Sequence, residues 1–350
     1  MAQPPSTLQP TGLRHGIRHC PGGDDVMPCL DTGFGGKTYY VDPVNGLDIN
    51  DGLASYQAAL GIGPWQTLGH AFSPLPVSPL GEAVAGVKGP FHDKLIMLPG
   101  TYLALEAFPI TLPAVKHSVH VMSSFYGKYN GAHIGDNSDF HTGSPILVID
   151  APDSSFEGVQ INGPHAGVDP VIELTGIRTI IQLCRIWAKD DGGHGIDILA
   201  TGNGITARIQ HNILEILHAD EVAIFTEEVG AHIVDNEIYA ENAGGIEVEP
   251  TADYTRIFWN KIRSKIDPLT FGIKFEALAA CCQVDENRIG RADPGVSGIE
   301  RRVWDLGANI HFGRNWQMCL WDGVAPPASA IPRAGDPITD GGAGTGYSRD

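Results

Sequence analysis

The sequence predicts an all-β, single-stranded right-handed parallel β-helix, a solenoid closed at its N-terminal end by a short helix. Three observations carry this. An asparagine-centred motif recurs, with Asn212, Asn236, Asn260, Asn287 and Asn315 separated by 24, 24, 27 and 28 residues. Apolar residues keep step with it: Ile181, Ile209, Ile233, Ile257, Val284 and Phe312 on one side, and Ile186, Leu214, Ile238, Ile262 and Ile289 on the other, with Gln317 the exception. Cys184 takes the asparagine position one repeat earlier. A second register repeats alongside, in Ile196, Ile224, Ile246, Ile273 and Ile299, most of them preceded by glycine.

A period in the twenties marks a solenoid, because one coil is too small to bury its own apolar face and must stack on the next. Inward positions then repeat with the coil, and an asparagine at a turn can bond up and down the stack as amide ladders do. Asn212, Asn236, Asn260, Asn287 and Asn315 are therefore read as structural. The composition agrees: 44 Gly and 25 Pro punctuate short strands, and only 18% of residues are charged.

Taken in order, residues 1–36 are Pro- and Gly-rich and unpatterned, an N-terminal arm. The β-helix is expected over 37–322, with cap and early coils at 37–145 and regular coils at 146–322. Lys37 onward (KTYYV) reads as a strand, Pro64 to Phe72 (PWQTLGHAF) as the capping helix, and Lys94 to Tyr102 (KLIMLPGTY) as the next strand. The segments ITLP, VHVM, PILVID, GVQING and VIEL supply early coils, and 323–350 form a tail with no core of its own. The first twenty residues contain no apolar segment of the secretory kind, and no stretch is long and apolar enough to insert in a membrane. The six cysteines show no disulfide framework.

Strand alternation directs Asp197, Phe225, Glu247, Lys274 and Glu300 outward, with Glu227, Glu249, Glu276 and Arg302 forming a second outward column. Carboxylates on adjacent coils would stand about 5 Å apart, and two coils apart about 10 Å. Glycosidases place paired carboxyls in this range, about 5–5.5 Å for retention and 6.5–9.5 Å for inversion of configuration. Glu247, Glu249 and Glu276 are thus the candidate catalytic residues. Asp197, Glu227, Lys274, Arg302 and His194 are candidate carbohydrate contacts. The same pattern also reads as a solvated acidic face. Lys261, Arg263 and Lys265 form a basic outward stripe, suited to an anionic sugar or to pairing with carboxylates of adjacent coils. His15, His19, Cys20 and Cys29 lack a usual zinc spacing, and Gly202 to Ala207 joins coils rather than opening a nucleotide-binding helix. No metal site is expected from the residues, and a net charge of -18 argues against a nucleic-acid partner.

The run YYVDPVNGLDINDG, followed by PWQTLGHAF and IMLPGTY, resembles the N-terminal segment of the pectin-lyase-like superfamily, nearest to its uncharacterised members. The likeness covers residues 38–102, and the coil repeat extends it to about 321. It implies the β-helix fold and leaves activity open, since that superfamily holds polysaccharide lyases, glycosidases, uronan epimerases, adhesins and bacteriophage tailspikes. The DPHD-like epimerase signature and the Asp pairs of polygalacturonase-like enzymes are absent. A lyase of this kind would bring Ca2+. The unpatterned ends and the missing secretory segment favour a structural or recognition protein of a large assembly, a bacteriophage virion component that contacts carbohydrate. It would attach to partner chains through 1–36 and 323–350, and the tailspike likeness implies a homotrimer. The alternatives are a polysaccharide lyase or glycoside hydrolase using the outward carboxylates, and an extracellular adhesin exported without a signal peptide.

Overall fold

The structure is a computed structural model, and it describes residues 36–81, 93–125, 131–135, 145–163, 170–188, 193–200, 207–217, 221–264, 270–276, 279, 281–291, 301–305, 311–312 and 316–317. The arm and the tail, with the attachment expected of them, lie outside the described residues. So do Asn315, Ile299, Glu300, Lys265, residues 202–206 and the His15, His19, Cys20, Cys29 group.

Each coil contributes one short strand to each of three parallel sheets. One representative coil runs Ile180–Gln182 in sheet 1, Arg185–Ala188 in sheet 2 and Ile196–Ile198 in sheet 3, then returns to sheet 1 at Arg208–Gln210. Among the described residues the sheets hold ten, nine and eight strands respectively, every neighbouring pair parallel and one coil apart. This is a right-handed parallel β-helix, with the hand that parallel crossover connections take.

The inward columns are as the repeat implies. Ile181, Ile209, Ile233 and Ile257 pair in register in sheet 1, Ile186, Leu214, Ile238 and Ile262 in sheet 2, and Ile196, Ile224, Ile246 and Ile273 in sheet 3, all fully buried. The asparagine sits at the turn between two strands, as its repeat implies. The chain bends sharply between sheets 1 and 2 at a single left-handed residue just before the asparagine, or before Cys184 in the first of these coils: Leu183, His211, Asp235, Trp259 and Glu286 have φ of 51–57°. The asparagine then bridges coils. The Asn236 Oδ1 accepts from the Asn212 backbone N–H and side-chain amide, both at 3.0 Å, while its Nδ2 donates to the Ile209 carbonyl at 2.9 Å. The same pattern links Asn236 to Asn260 and Asn260 to Asn287, and Asn212 accepts from the Cys184 N–H.

At the N-terminal end the helix is shorter than its sequence window, Leu68–Phe72, capped by Thr67, whose hydroxyl accepts from the His70 N–H. It buries Leu68, Ala71 and Phe72, and the Phe72 ring meets Phe156 edge-on at 6.3 Å. KLIMLPGTY, expected as one strand, is two. Asp93–Met97 joins sheet 1 and Gly100–Tyr102 joins sheet 2, because Pro99 cannot donate to a ladder and the chain turns there. The Tyr102 hydroxyl ties this corner by donating to the Val41 and Leu98 carbonyls, at 2.8 and 3.0 Å.

A second correction concerns the last described strand of sheet 3. Arg301–Asp305 pairs Val303 with Ile273 and Trp304 with Lys274. Val303 is therefore the residue in register with the inward column on this strand. Arg302 stands level with Gly272 rather than with Glu276, so it does not continue the Glu227–Glu249–Glu276 column. The Gly298-Ile299 pair copies the local signal of the earlier strands, but the backbone pairing is what sets register.

Candidate functional site on the outer face of sheet 3

Sheet 3 is half-exposed on its outer side, and strand alternation puts Glu173, Asp197, Phe225, Glu247 and Lys274 in one column there. The residues just past each strand, Glu227, Glu249 and Glu276, donate their backbone N–H to the Ile198, Thr226 and Val248 carbonyls of the preceding coil, which stacks them as a second column. The strands begin under tight backbone approach. A Cβ on Gly195 would lie 2.6 Å from the Ala223 carbonyl oxygen, and one on Gly245 would lie 2.3 Å from that of Gly272.

Two clusters result. In the first, His194 Nδ1 lies 2.6 Å from Asp197 Oδ1, and its ring rests on Phe225 with centroids 4.7 Å apart. In the second, Lys274 Nζ lies 2.6 Å from Glu247 Oε1 and 2.5 Å from Glu276 Oε1. Burial alone would lower the Lys274 pKa, but the bonds to Glu247 and Glu276 outweigh it and hold the ammonium above its ordinary range. Glu249 interacts with Lys274 through charge. Its pKa is raised, first by burial and then by the charges of Glu247, Glu276 and Glu227, with Lys274 opposing.

The chemistry follows from that split. One carboxyl keeps its proton to higher pH while two flanking carboxylates share one ammonium, an arrangement that can separate a proton donor from a charged nucleophile or base. The residues do not fit a calcium site. Such an ion takes about six to eight oxygen ligands, and here Lys274 already supplies the positive charge between Glu247 and Glu276. Among the described residues no group of three or more His, Cys, Asp or Glu is placed to hold a metal.

The structure thus brings together Asp197 with His194, and Glu247, Glu249, Glu276 and Lys274 with Glu227 alongside, and leaves Arg302 out of that column. Sequence reasoning missed the role of Phe225 as a shelf for His194, although the alternation that directs Glu247 outward directs Phe225 outward too. Of the basic stripe, Arg263 is paired: it bridges to Glu237 and lies over the Tyr239 ring at 5.0 Å. Two shallow clefts lie away from this face, at the corner between sheets 1 and 2, around Cys184, His211 and Asn236.

No protein-family model matches the chain, and no curated protein matches it. Solved structures do, at the level of fold. A GH136 lacto-N-biosidase from Eubacterium ramulus shares 12% identity over 80% of this chain and 56% of its own, with a TM-score of 0.46. The chain therefore spans little more than half of that enzyme. The pectate lyase Pel9A shares 12% identity over 80% of this chain and 75% of its own (TM-score 0.35), and a rhamnogalacturonan lyase 13% over 79% and 87% (TM-score 0.34).

Proposed function

We propose that the protein engages a polysaccharide across the outer face of sheet 3 and hydrolyses a glycosidic bond there. The observation that carries this is the raised pKa of Glu249 between Glu247 and Glu276, both held by Lys274. Glu249 donates its proton to the glycosidic oxygen as the bond to the anomeric carbon breaks. Glu276, one coil on in the same column, stands at about the 4.8 Å strand spacing, near the separation of retaining enzymes. Its carboxylate bonds to the anomeric carbon. Glu249, now ionised, takes a proton from water, whose oxygen displaces Glu276 and restores both groups. Glu247 anchors Lys274, and Phe225 with His194 offers a platform for a neighbouring sugar.

Hydrolysis is favoured over elimination for a specific reason. A lyase needs a base to remove a proton beside a carboxylate, and Lys274, the cation of this cluster, is held protonated by two carboxylates.

The test is reducing-end release from a panel of neutral and acidic polysaccharides, with absorbance of unsaturated products followed in parallel. Expected is reducing-end release without that absorbance, lowered at least a hundredfold in Glu249→Gln and Glu276→Gln. Absence of turnover, or turnover unchanged in both variants, removes the proposal. Unsaturated products would instead support the lyase reading.

A further inference from the structure

The outer face of sheet 1 has a different character, and it lies on another side of the helix from the carboxylate cluster. Its strands Arg208–Gln210, His232–Val234 and Arg256–Phe258 pair so that Arg208, His232 and Arg256 stand in one outward column on consecutive coils. Both arginines are exposed, and among the described residues neither has a carboxylate partner. The His232 pKa is lowered by burial first and then by Arg256 and Arg208, so the imidazole sits within the field of both guanidinium groups. Three basic residues in line are notable in a chain of net charge -18.

The column is flanked by aromatic surface. Tyr254 and Trp259 are 59% and 54% exposed, and Phe258 is half-buried on the same strand as Arg256. Beside the arginines, Gln210 donates to Gln182 at 2.7 Å and Gln182 to Glu157 at 2.9 Å, giving a ladder of amides. Two carboxylates at its rim are engaged: Asp235 lies 3.0 Å from His211, and Glu286 accepts from the Trp259 indole at 2.6 Å. Asp285 follows Phe258 in the same outward column, one coil on.

We propose that the outer face of sheet 1, along Arg208, His232 and Arg256 with Tyr254 and Trp259 at its side, binds a linear polysaccharide that carries carboxylates. Guanidinium forks match carboxylates bidentately, and exposed aromatic rings cover the apolar faces of sugar rings. The column advances one coil, about 4.8 Å, per basic residue, comparable to the length of one pyranose. A polyuronate laid along the stack therefore meets a guanidinium, an imidazole or an amide at each step. A bare polyanion would satisfy the arginines alone and leave the aromatic surface unused.

The probe is alginate with EDTA present, titrated against the full chain carrying Glu249→Gln, so that binding is read without turnover. Its propylene glycol ester serves as the uncharged control. Expected is binding that weakens about tenfold in Arg208→Gln and in Arg256→Gln, weakens also in Trp259→Ala, falls with added salt and is absent for the ester. These are exposed positions, and unchanged thermal melts confirm that the variants fold. No binding of alginate, equal binding of the ester, or variants that bind like the parent would overturn the proposal. Equal affinity for polyphosphate with no effect of Trp259→Ala would also overturn it, by showing a simple anion surface. None of these outcomes depends on whether sheet 3 is hydrolytic.

Discussion

Asn236 is saturated in both directions along the stack. It accepts twice from Asn212, and it donates to the Ile209 carbonyl and to Asn260, all in a fully buried setting. Replacing it by alanine leaves the Asn212 N–H and the Ile209 carbonyl without these partners, and each buried unsatisfied group costs about 1–3 kcal/mol. Asn236→Ala is therefore expected to lower the unfolding free energy by about 3 kcal/mol in urea titration, and a loss below about 0.5 kcal/mol would show that the ladder contributes little. Glu249 makes a second statement at this scale. Its pKa is raised by burial and then by Glu247, Glu276 and Glu227. A general acid works while protonated, so activity falls as pH rises through that pKa. Glu227→Gln removes one of the raising charges, so the basic limb of the pH–rate profile should move to lower pH with the plateau rate little changed. Movement to higher pH would contradict the assignment.

At the scale of the element, the corners explain what was legible and what was not. Inward positions such as Ile209, Ile233 and Ile257 must recur with the coil, so they stand out in the sequence. The bend before each asparagine does not, because it rests on one residue in the left-handed region, and the side chains there are as different as Leu183, His211 and Trp259. Such a residue costs about 1–2 kcal/mol when it is not glycine. Leu183 has φ of 56° and is half-exposed. Leu183→Gly should therefore raise stability by about 1 kcal/mol, read as a higher midpoint of thermal unfolding. A lower midpoint would mean that its side chain contributes packing that outweighs the strain. Register at the C-terminal strand was illegible for a different reason: Gly298-Ile299 repeats the local pattern, but the pairing of Arg301 with Phe271 places Val303 in the column. The Arg208–His232–Arg256 stripe was legible in principle, since each residue directly precedes an inward isoleucine of the repeat.

For the whole molecule, the β-helix presents three faces of distinct chemistry. Sheet 2 pairs opposite charges across coils, with Arg185 to Glu215 at 2.7 Å and Arg263 to Glu237. Sheet 1 is basic and amide-rich, and sheet 3 carries the carboxylates with a single lysine among Glu247, Glu249 and Glu276. A solenoid lends itself to this, because its core columns are independent of what its outward positions carry. Fold and site were thus unequally readable: the core columns demand periodicity, whereas a site needs only a few outward residues. The most direct test of the account is a crystal structure of Glu249→Gln soaked with an oligosaccharide of the hydrolysed polymer. Expected is a sugar over Phe225, with the glycosidic oxygen within hydrogen-bond reach of residue 249 and the anomeric carbon facing Glu276. A glycan seated elsewhere, with sheet 3 bare, would contradict it.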